Sequence, residues 1–419
     1  SLRDDEVVLH AEGARDRLAA IGYRDPSGAL THIAALTRGT TRRAVIQRHL
    51  LPVFISWLAA GADPDMGLRN FRILSEDIGD SHWYLALLRD SGVAARRLMK
   101  MLPNSHWIAD ALAKRPEAVA WLDDDAELAP RDLGRLGREL RALIDRHEDA
   151  EDAAARVRAV RTRELTRCAM SDLLAGIDPR GHAIADAADT ALLGALEIAE
   201  REEDARWGSP RARVAFIAMG RYGGRECSYA SDADVIAVHE AVGDATPADA
   251  AASATAIVNR VKKLLGSATS QLGLAVDLDL RPEGKNGPMS RTVESHREYA
   301  RRWGSTWERQ AAVRARPIGD APLARRAGQL FEEIAYGDVS PADLRDIRLL
   351  KARMENERLP RGIEPSRHVK LGPGGLTDVE WTIQLIQMRH GRITPSLRTP
   401  STTGAIAAAA REGLVEPSD

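Results

Sequence analysis

Asp232 and Asp234 stand two residues apart at the head of the apolar run Val235 to Val238. Side chains at i and i+2 of an extended chain leave the same face, so both carboxylates enter one site. Two such neighbours repel each other unless a cation or a proton lies between them. Seven residues separate them from Met219-Gly220-Arg221-Tyr222-Gly223-Gly224, which the apolar run Val214 to Met219 leads into. The pattern is strand, glycine-rich turn, then paired acids on a second strand. A turn with exposed backbone N–H groups beside paired acids suits Mg²⁺ and a nucleotide phosphate. Only glycine lets a phosphate come that close to the backbone, which assigns Gly223 and Gly224 to phosphate contact, with Ser231 as a hydroxyl donor beside them. Each reading has a plainer competitor: capping aspartates, a tight turn, an ordinary loop hydroxyl.

A third segment, Leu274-Ala275-Val276-Asp277-Leu278-Asp279-Leu280-Arg281-Pro282, alternates charged and apolar residues. As a strand it would carry Asp277, Asp279 and Arg281 on one face, and pairing with the Asp232 strand would bring in a third carboxylate. Acids inside apolar strands are costly, and two strands that both carry them favour the metal reading over capping. Three carboxylates suffice for two Mg²⁺ ions, one arriving with a triphosphate and one lowering the pKa of an attacking hydroxyl. Positioning and charge neutralisation then supply most of the catalysis. No Gly-x4-Gly-Lys-Ser/Thr loop occurs, and a dinucleotide fold would need a helix directly after the turn. Downstream, Lys370-Leu371-Gly372-Pro373-Gly374-Gly375 precedes a helix whose start reads as a capping box, Thr377 with Glu380. Such a helix N-terminus attracts anions, with Lys370 meeting the triphosphate; alternatively, Gly-Gly simply makes the turn.

The elements that must hold these residues are mostly helical. Up to about residue 150, apolar residues recur at helical spacing over 27–38, 41–59, 66–89 and 92–101, punctuated by Asp25-Pro26, Gly61-Ala62-Asp63-Pro64 and Leu102-Pro103-Asn104. Trp57, Trp83, Tyr84, Trp107 and Trp121 fall on helices and read as packing residues. The charged stretch Asp145 to Asp152 marks a boundary. A basic helix with Arg156, Arg158, Arg161, Arg163 and Arg167 follows, either a solvated face or a surface for phosphate or a partner. A helix from Ala183 to Arg201 buries Ile184, Ala188, Ala191, Ala195 and Ile198. Strands are expected at 213–219, 232–239 and 274–280, with a helix near 250–266, and helical periodicity returns beyond about Ala321. The expected fold is therefore α+β and predominantly helical, with a small mixed β-sheet between N-terminal and C-terminal all-α regions. The divisions are 1–150 for the helical bundle, 151–320 for the catalytic domain, and 321–419 for an incomplete helical region.

The chain has 419 residues, 44% hydrophobic and 29% charged, which suits more than one soluble core. Its net charge of −2, without interleaved basic and aromatic residues, argues against nucleic acid as a partner. No apolar run approaches the roughly 20 residues that cross a bilayer, and no signal peptide is visible, so no membrane is expected. Cys168 and Cys227 are too few for a disulfide framework and suit a reducing cytoplasm. Ser1 at the start reads as the mark of a fragment. His239 and His368 have no ligand spacing.

Glycine turn, Asp-x-Asp and a later strand Asp together resemble the DNA polymerase β-type nucleotidyltransferase fold. More closely, Met219 to Glu226 and Tyr229-Ala230-Ser231-Asp232-Ala233-Asp234 resemble the glutamine synthetase adenylyltransferase family. So do Val276-Asp277, Leu280-Arg281-Pro282 with Gly284 and Gly287, and Trp307-Glu308-x-Gln310. Arg314-Ala315-Arg316-Pro317, Lys370 to Gly375, and Asp378-Val379-Glu380-Trp381 continue the likeness, which runs from roughly 210 to 390. Leu36-Thr37-Arg38-Gly39 and Arg115-Pro116-Glu117 in the helical leader look familial too. The resemblance implies two catalytic units in tandem, one attaching AMP from ATP to a tyrosine of glutamine synthetase, the other removing it by phosphorolysis. This chain holds one unit. Tyr229, in Cys227-Ser228-Tyr229-Ala230-Ser231, is similar to the transferring unit, whereas Cys227 and Ala230 match neither unit strictly. By the same likeness Asp232, Asp234 and Asp277 are the catalytic metal-binding acids, Asp279 departs from the family's Arg, and Gly223, Gly224, Ser231, Arg281 and Lys370 face ATP. It also implies that the helical regions dock glutamine synthetase and a PII-type signalling protein.

Overall fold

Asp25, Thr41, Asp63, Ser91 and Ser105 each accept a hydrogen bond from a backbone N–H in the first turn of the helix they precede. That capping, with Pro26 and Pro64 at first helical positions, explains why the turn signals in the sequence become helix starts. The computed structural model describes residues 4–175, 181–266, 272–357, 362 and 364–416. The chain divides into one unit of Ser1–Pro130 with Glu164–Pro179, and another of Arg131–Arg163 with Arg180–Asp419.

In the first unit, Pro26–Thr37, Arg42–Ala59, Pro64–Ile78, His82–Asp90, Gly92–Met101 and His106–Lys114 are helices. The one helix expected over 66–89 is two, parted at Gly79-Asp80-Ser81. Glycine, aspartate and serine all disfavour helix interiors, and the break lets Tyr84 Oη meet Ser75 Oγ at 3.1 Å. Phe54, Leu58, Leu68, Phe71 and Leu98 are fully buried together. Phe54 meets Phe71 edge to face at 5.5 Å and stacks on Trp57 at 5.7 Å. Tyr84, Trp57, Trp107 and Trp121 pack on this core as expected, but Trp83 stays 41% exposed.

In the second unit, helix Gly181–Trp207 is buried along most of its length, including Ile184, Ala188, Ala191, Ala195 and Ile198. Its small residues admit close neighbours: a side chain at Gly194 would collide with Leu140. Strands β1 (Ala212–Ala218) and β2 (Ala233–Ala241) pair antiparallel, Ala218 opposite Val235. β3 (Val276–Asp277) and β4 (Ser290–Arg291) join β2 in parallel, and β5 (Arg316–Pro317) joins β1 antiparallel. Ala215, Ile217, Ile236 and Val238 pack with helix Pro322–Ala335, while helix Pro247–Leu265 also packs on β1 and β2. Both central strands are consequently buried almost throughout, which accounts for their continuous apolar runs.

The third strand is far shorter than the expected 274–280. After Asp277 the chain turns, and the Asp279 N–H donates to Asp277 Oδ1 at 2.7 Å. Asp279 is thereby on an exposed turn, facing Lys285 at 3.2 Å. The basic helix is neither a solvated face nor a phosphate surface at its buried positions. Arg158 donates to the Leu264 carbonyl at the end of helix Pro247–Leu265, and Arg161 to those of Leu272 and Gly273, both at 3.3 Å. The Arg158 guanidinium satisfies a carbonyl that the helix end leaves open. Arg163 pairs with Glu139 through two bonds of 2.6 and 2.7 Å.

Because Phe71 is fully buried against Phe54, Phe71→Ala should lower the stability of the helical unit by about 3–5 kcal/mol. The urea midpoint of its unfolding transition, followed by Trp57 fluorescence, measures this; an unchanged midpoint would refute the packing described.

Candidate active site

The parallel pairing of β2 and β3 sets Asp234 directly opposite Asp277. Registered side chains of adjacent strands share a face, and Asp232, two residues before Asp234, shares it as well. One carboxylate oxygen from each of the three lies within 4.8 Å of the others. Burial pushes the Asp234 carboxyl up to about 6, and the charges of Asp232 and Asp277 add to that, with Lys370 opposing them. Three hard oxygen donors that repel one another fit a divalent cation such as Mg²⁺. The pairing of these three acids, read from the spacing, is what the fold assembles.

The glycine turn meets the acids at a different residue from those expected. Gly220 has φ +55, and a Cβ there would lie 2.9 Å from Asp234 Oδ2. Both the left-handed backbone and the approach to the carboxylate therefore require glycine. Gly223 and Gly224 are turned inward. Their N–H groups donate to the Met219 and Gly220 carbonyls at 2.7 and 3.1 Å, so they are committed within the turn. A side chain on Gly223 would strike the Arg314 backbone, and one on Gly224 the Arg314 guanidinium and the Pro400 carbonyl. Their lack of side chains leaves room for the Arg314 and Pro400 atoms packed against them.

A cleft of about 320 Å³ opens over Asp232 and Asp234. Ser231 and Lys370 line it, as do Arg221, Arg314 and Glu380, to which sequence reasoning gave no part in the site. Ser231 Oγ accepts from Ser228 N at 2.9 Å. Arg281 is not in the cleft lining: its buried guanidinium donates to the carbonyls of Leu278, Lys285 and Gly287 at 2.9–3.1 Å and clamps the loop after Asp277. The expected capping box is absent from helix Leu376–His390. Thr377 Oγ1 donates to the Lys370 carbonyl at 2.6 Å, and Asp378 Oδ2 accepts from Gly374 N at 2.7 Å, so both residues fold the loop that presents Lys370. Asp378 also pairs with Lys351.

Two arginines from the Arg-Ala-Arg-Pro run brace the turn. Arg316 grips Asp189 of helix Gly181–Trp207 with two bonds of 2.7 and 2.9 Å and donates to the Gly223 carbonyl at 3.2 Å. Arg314 bonds Glu226 and reaches Thr402 Oγ1 at 2.9 Å and Glu380 Oε1 at 3.4 Å. Glu226 Oε1 in turn accepts from Thr402 N at 2.6 Å, at the start of helix Thr402–Arg411. The signal for these residues was present as an Arg-x-Arg-Pro spacing, but their carboxylate partners are too remote in sequence to be paired by inspection.

The folded Asp234 carboxyl titrates near 6, above the roughly 3.9 of an unfolded chain. A raised carboxyl contributes stability that is lost as pH rises from about 4 through about 6 in metal-free protein. Asp234→Asn should therefore raise the metal-free melting temperature at about pH 8 and not at about pH 4. Mg²⁺ should stabilise the native protein and much less the variant. Equal effects at both pH values would overturn the crowding argument.

The description Glutamate-ammonia ligase adenylyltransferase belongs to a family model that matches residues 95–329, more than half of the chain. A protein of Leifsonia xyli subsp. xyli named bifunctional glutamine synthetase adenylyltransferase/adenylyl-removing enzyme is 48% identical over 99% of this chain and 41% of its own length. Proteins of the same name are similar in Streptomyces coelicolor, at 44% identity over 99% of this chain and 43% of the relative, and in Corynebacterium efficiens, at 38% over 100% and 41%. The chain spans about two fifths of the length of these relatives. With that match spanning the braced turn and the acids, the chain belongs to the glutamate-ammonia ligase adenylyltransferase family.

Proposed function

We propose that this chain transfers AMP from MgATP to a tyrosine hydroxyl of glutamine synthetase, releasing pyrophosphate. The observation that carries the reading is the register of Asp234 with Asp277, which gathers three carboxylates within 4.8 Å beside a glycine turn. Family membership and the names of the relatives supply the nucleotide and the acceptor. Asp232, Asp234 and Asp277 would hold Mg²⁺, two ions in our reading, which when bound neutralises phosphate charge and makes the acceptor hydroxyl more acidic. Arg221 and Lys370 flank the cleft where the triphosphate lies, and Ser231 offers a hydroxyl to it. The phenolic oxygen forms a bond to the α-phosphorus, the bond to the bridging oxygen breaks, and pyrophosphate leaves. Asp277 orients the phenol and accepts its proton.

The helical regions dock the acceptor enzyme and a PII-type signalling protein on this reading, with 1–150 as the docking region, 151–320 as the catalytic domain and 321–419 as its helical flank. Among the described residues no helix is long and apolar enough to cross a membrane, and both cysteines are buried thiols outside any disulfide. A reducing cytoplasm is the setting that suits them.

Incubation with labelled ATP, Mg²⁺ and unmodified glutamine synthetase should transfer label, and Asp232→Asn or Asp234→Asn should reduce transfer by at least about a hundredfold. Release of AMP from modified enzyme on adding phosphate, without transfer, would reverse the direction. Gly220→Ala should cost about 1–2 kcal/mol of stability from its left-handed backbone. It should also weaken Mg²⁺ binding, read by calorimetry, because the new methyl displaces Asp234 Oδ2. Undiminished metal affinity would show that Gly220 does not set the acid geometry.

A further inference from the structure

A second cavity lies on the face of the sheet that carries Asp234. Ile236, two residues further along β2, forms part of its wall with Met219, and the segment following Asp277 contributes Leu280 and Pro282. The cavity holds about 50 Å³, room for several water-sized groups. It shares Leu280 and Ala311 with the catalytic cleft, so the two are neighbours across one wall. The lining is chiefly apolar. Tyr299, Glu308 and Arg309 add polar groups that are bonded to neighbours, whereas His296 is 4% exposed and its Nε2 has no hydrogen-bond partner. Burial, with Arg291 nearby, holds that imidazole down to about 4, so the ring is neutral. A buried ring nitrogen left unpaired costs free energy that an incoming polar atom recovers.

The position and charge of the cavity indicate its occupant. The cations that suit a triphosphate, Arg221 and Lys370, line the cleft and not this cavity. Arg309, in the cavity wall, is committed to the Asp338 carbonyl at 2.9 Å and to Asp343 at 3.5 Å. The cavity instead adjoins the cleft through Leu280, three residues after Asp277, the acid to which the proposed reaction assigns the acceptor hydroxyl. Trp307 lies in its lining at 41% exposure, and Trp303, close by in the chain, is 65% exposed. Exposed indoles beside an apolar recess are the residues that anchor one protein on another.

We infer that this cavity receives an apolar side chain from the acceptor segment that presents the tyrosine, with His296 Nε2 meeting a main-chain polar group of that segment. The cavity thereby selects which tyrosine reaches Asp277. This rests on the proposed transfer reaction. Filling the cavity with Ala300→Phe and removing an anchor with Trp307→Ala test it in the whole chain. Each variant's melting temperature is measured first, to confirm folding. Loss of a methylene-scale pocket contact predicts a rise of about 10- to 100-fold in the KM for glutamine synthetase, with the KM for ATP held within about twofold. Direct titration of unmodified glutamine synthetase, with no ATP present, should weaken in parallel, which separates this inference from the chemistry. A rise in the KM for ATP instead would make the cavity a base pocket and overturn the inference. So would unchanged acceptor affinity in both variants. Loss of turnover in wild-type protein that still binds the acceptor through these residues would sink the transfer reaction alone.

Discussion

Like charges held close together are what this structure has to contain. Three carboxylates stand within 4.8 Å, one of them half-buried and pushed up to about 6. Without a cation, each would relieve its repulsion by swinging toward solvent or taking a proton. The backbone around them therefore has to be stiff. Asp234 is held by the β1–β2 ladder, which runs on into the bond from Met219 N to the Asp234 carbonyl at 2.8 Å. Asp277 is held by the two-residue β3 and by the bond from the following turn. The loop after it is tied by Arg281 to three of its own carbonyls.

The same logic explains the arginines. Arg314 and Arg316 leave the chain two residues apart near β5 and brace opposite partners of the glycine turn, Glu226 and Asp189. Asp189 is almost wholly buried, and Arg316 meets it with two matched bonds. Breaking one partner would leave an uncompensated charge beneath the turn. The turn can then be short and rich in glycine without being loose, because its rigidity comes from neighbours and not from its own side chains.

How much of this was legible in the sequence depended on distance along the chain. The Asp-x-Asp pair, the strands around it and the third acid follow from alternation over a few residues, and the structure places them together. The roles of the glycines did not follow, because spacing cannot say which glycine faces the acids. That depends on φ at Gly220 and on what fills the space beside Gly223 and Gly224. Periodicity overran the break at Gly79 and lengthened β3, since an alternating pattern persists through a turn that hydrogen bonds close. The buried arginines of helix Ala150–Ala175 were read as surface because basic residues look solvated until a carbonyl partner is known, and the carbonyls that Arg281 clamps are equally invisible in the spacing.

The bond between Glu226 and the amide of Thr402 closes a loop of 176 residues. Contacts between segments so far apart form slowly, because the chain between them must be ordered first. During synthesis the strands and the turn leave the ribosome long before Thr402 does. The acids can pair early, but the turn beside them acquires its last brace only when the helix at Thr402–Arg411 arrives. The candidate site therefore takes its last brace from a segment far along the chain from its acids.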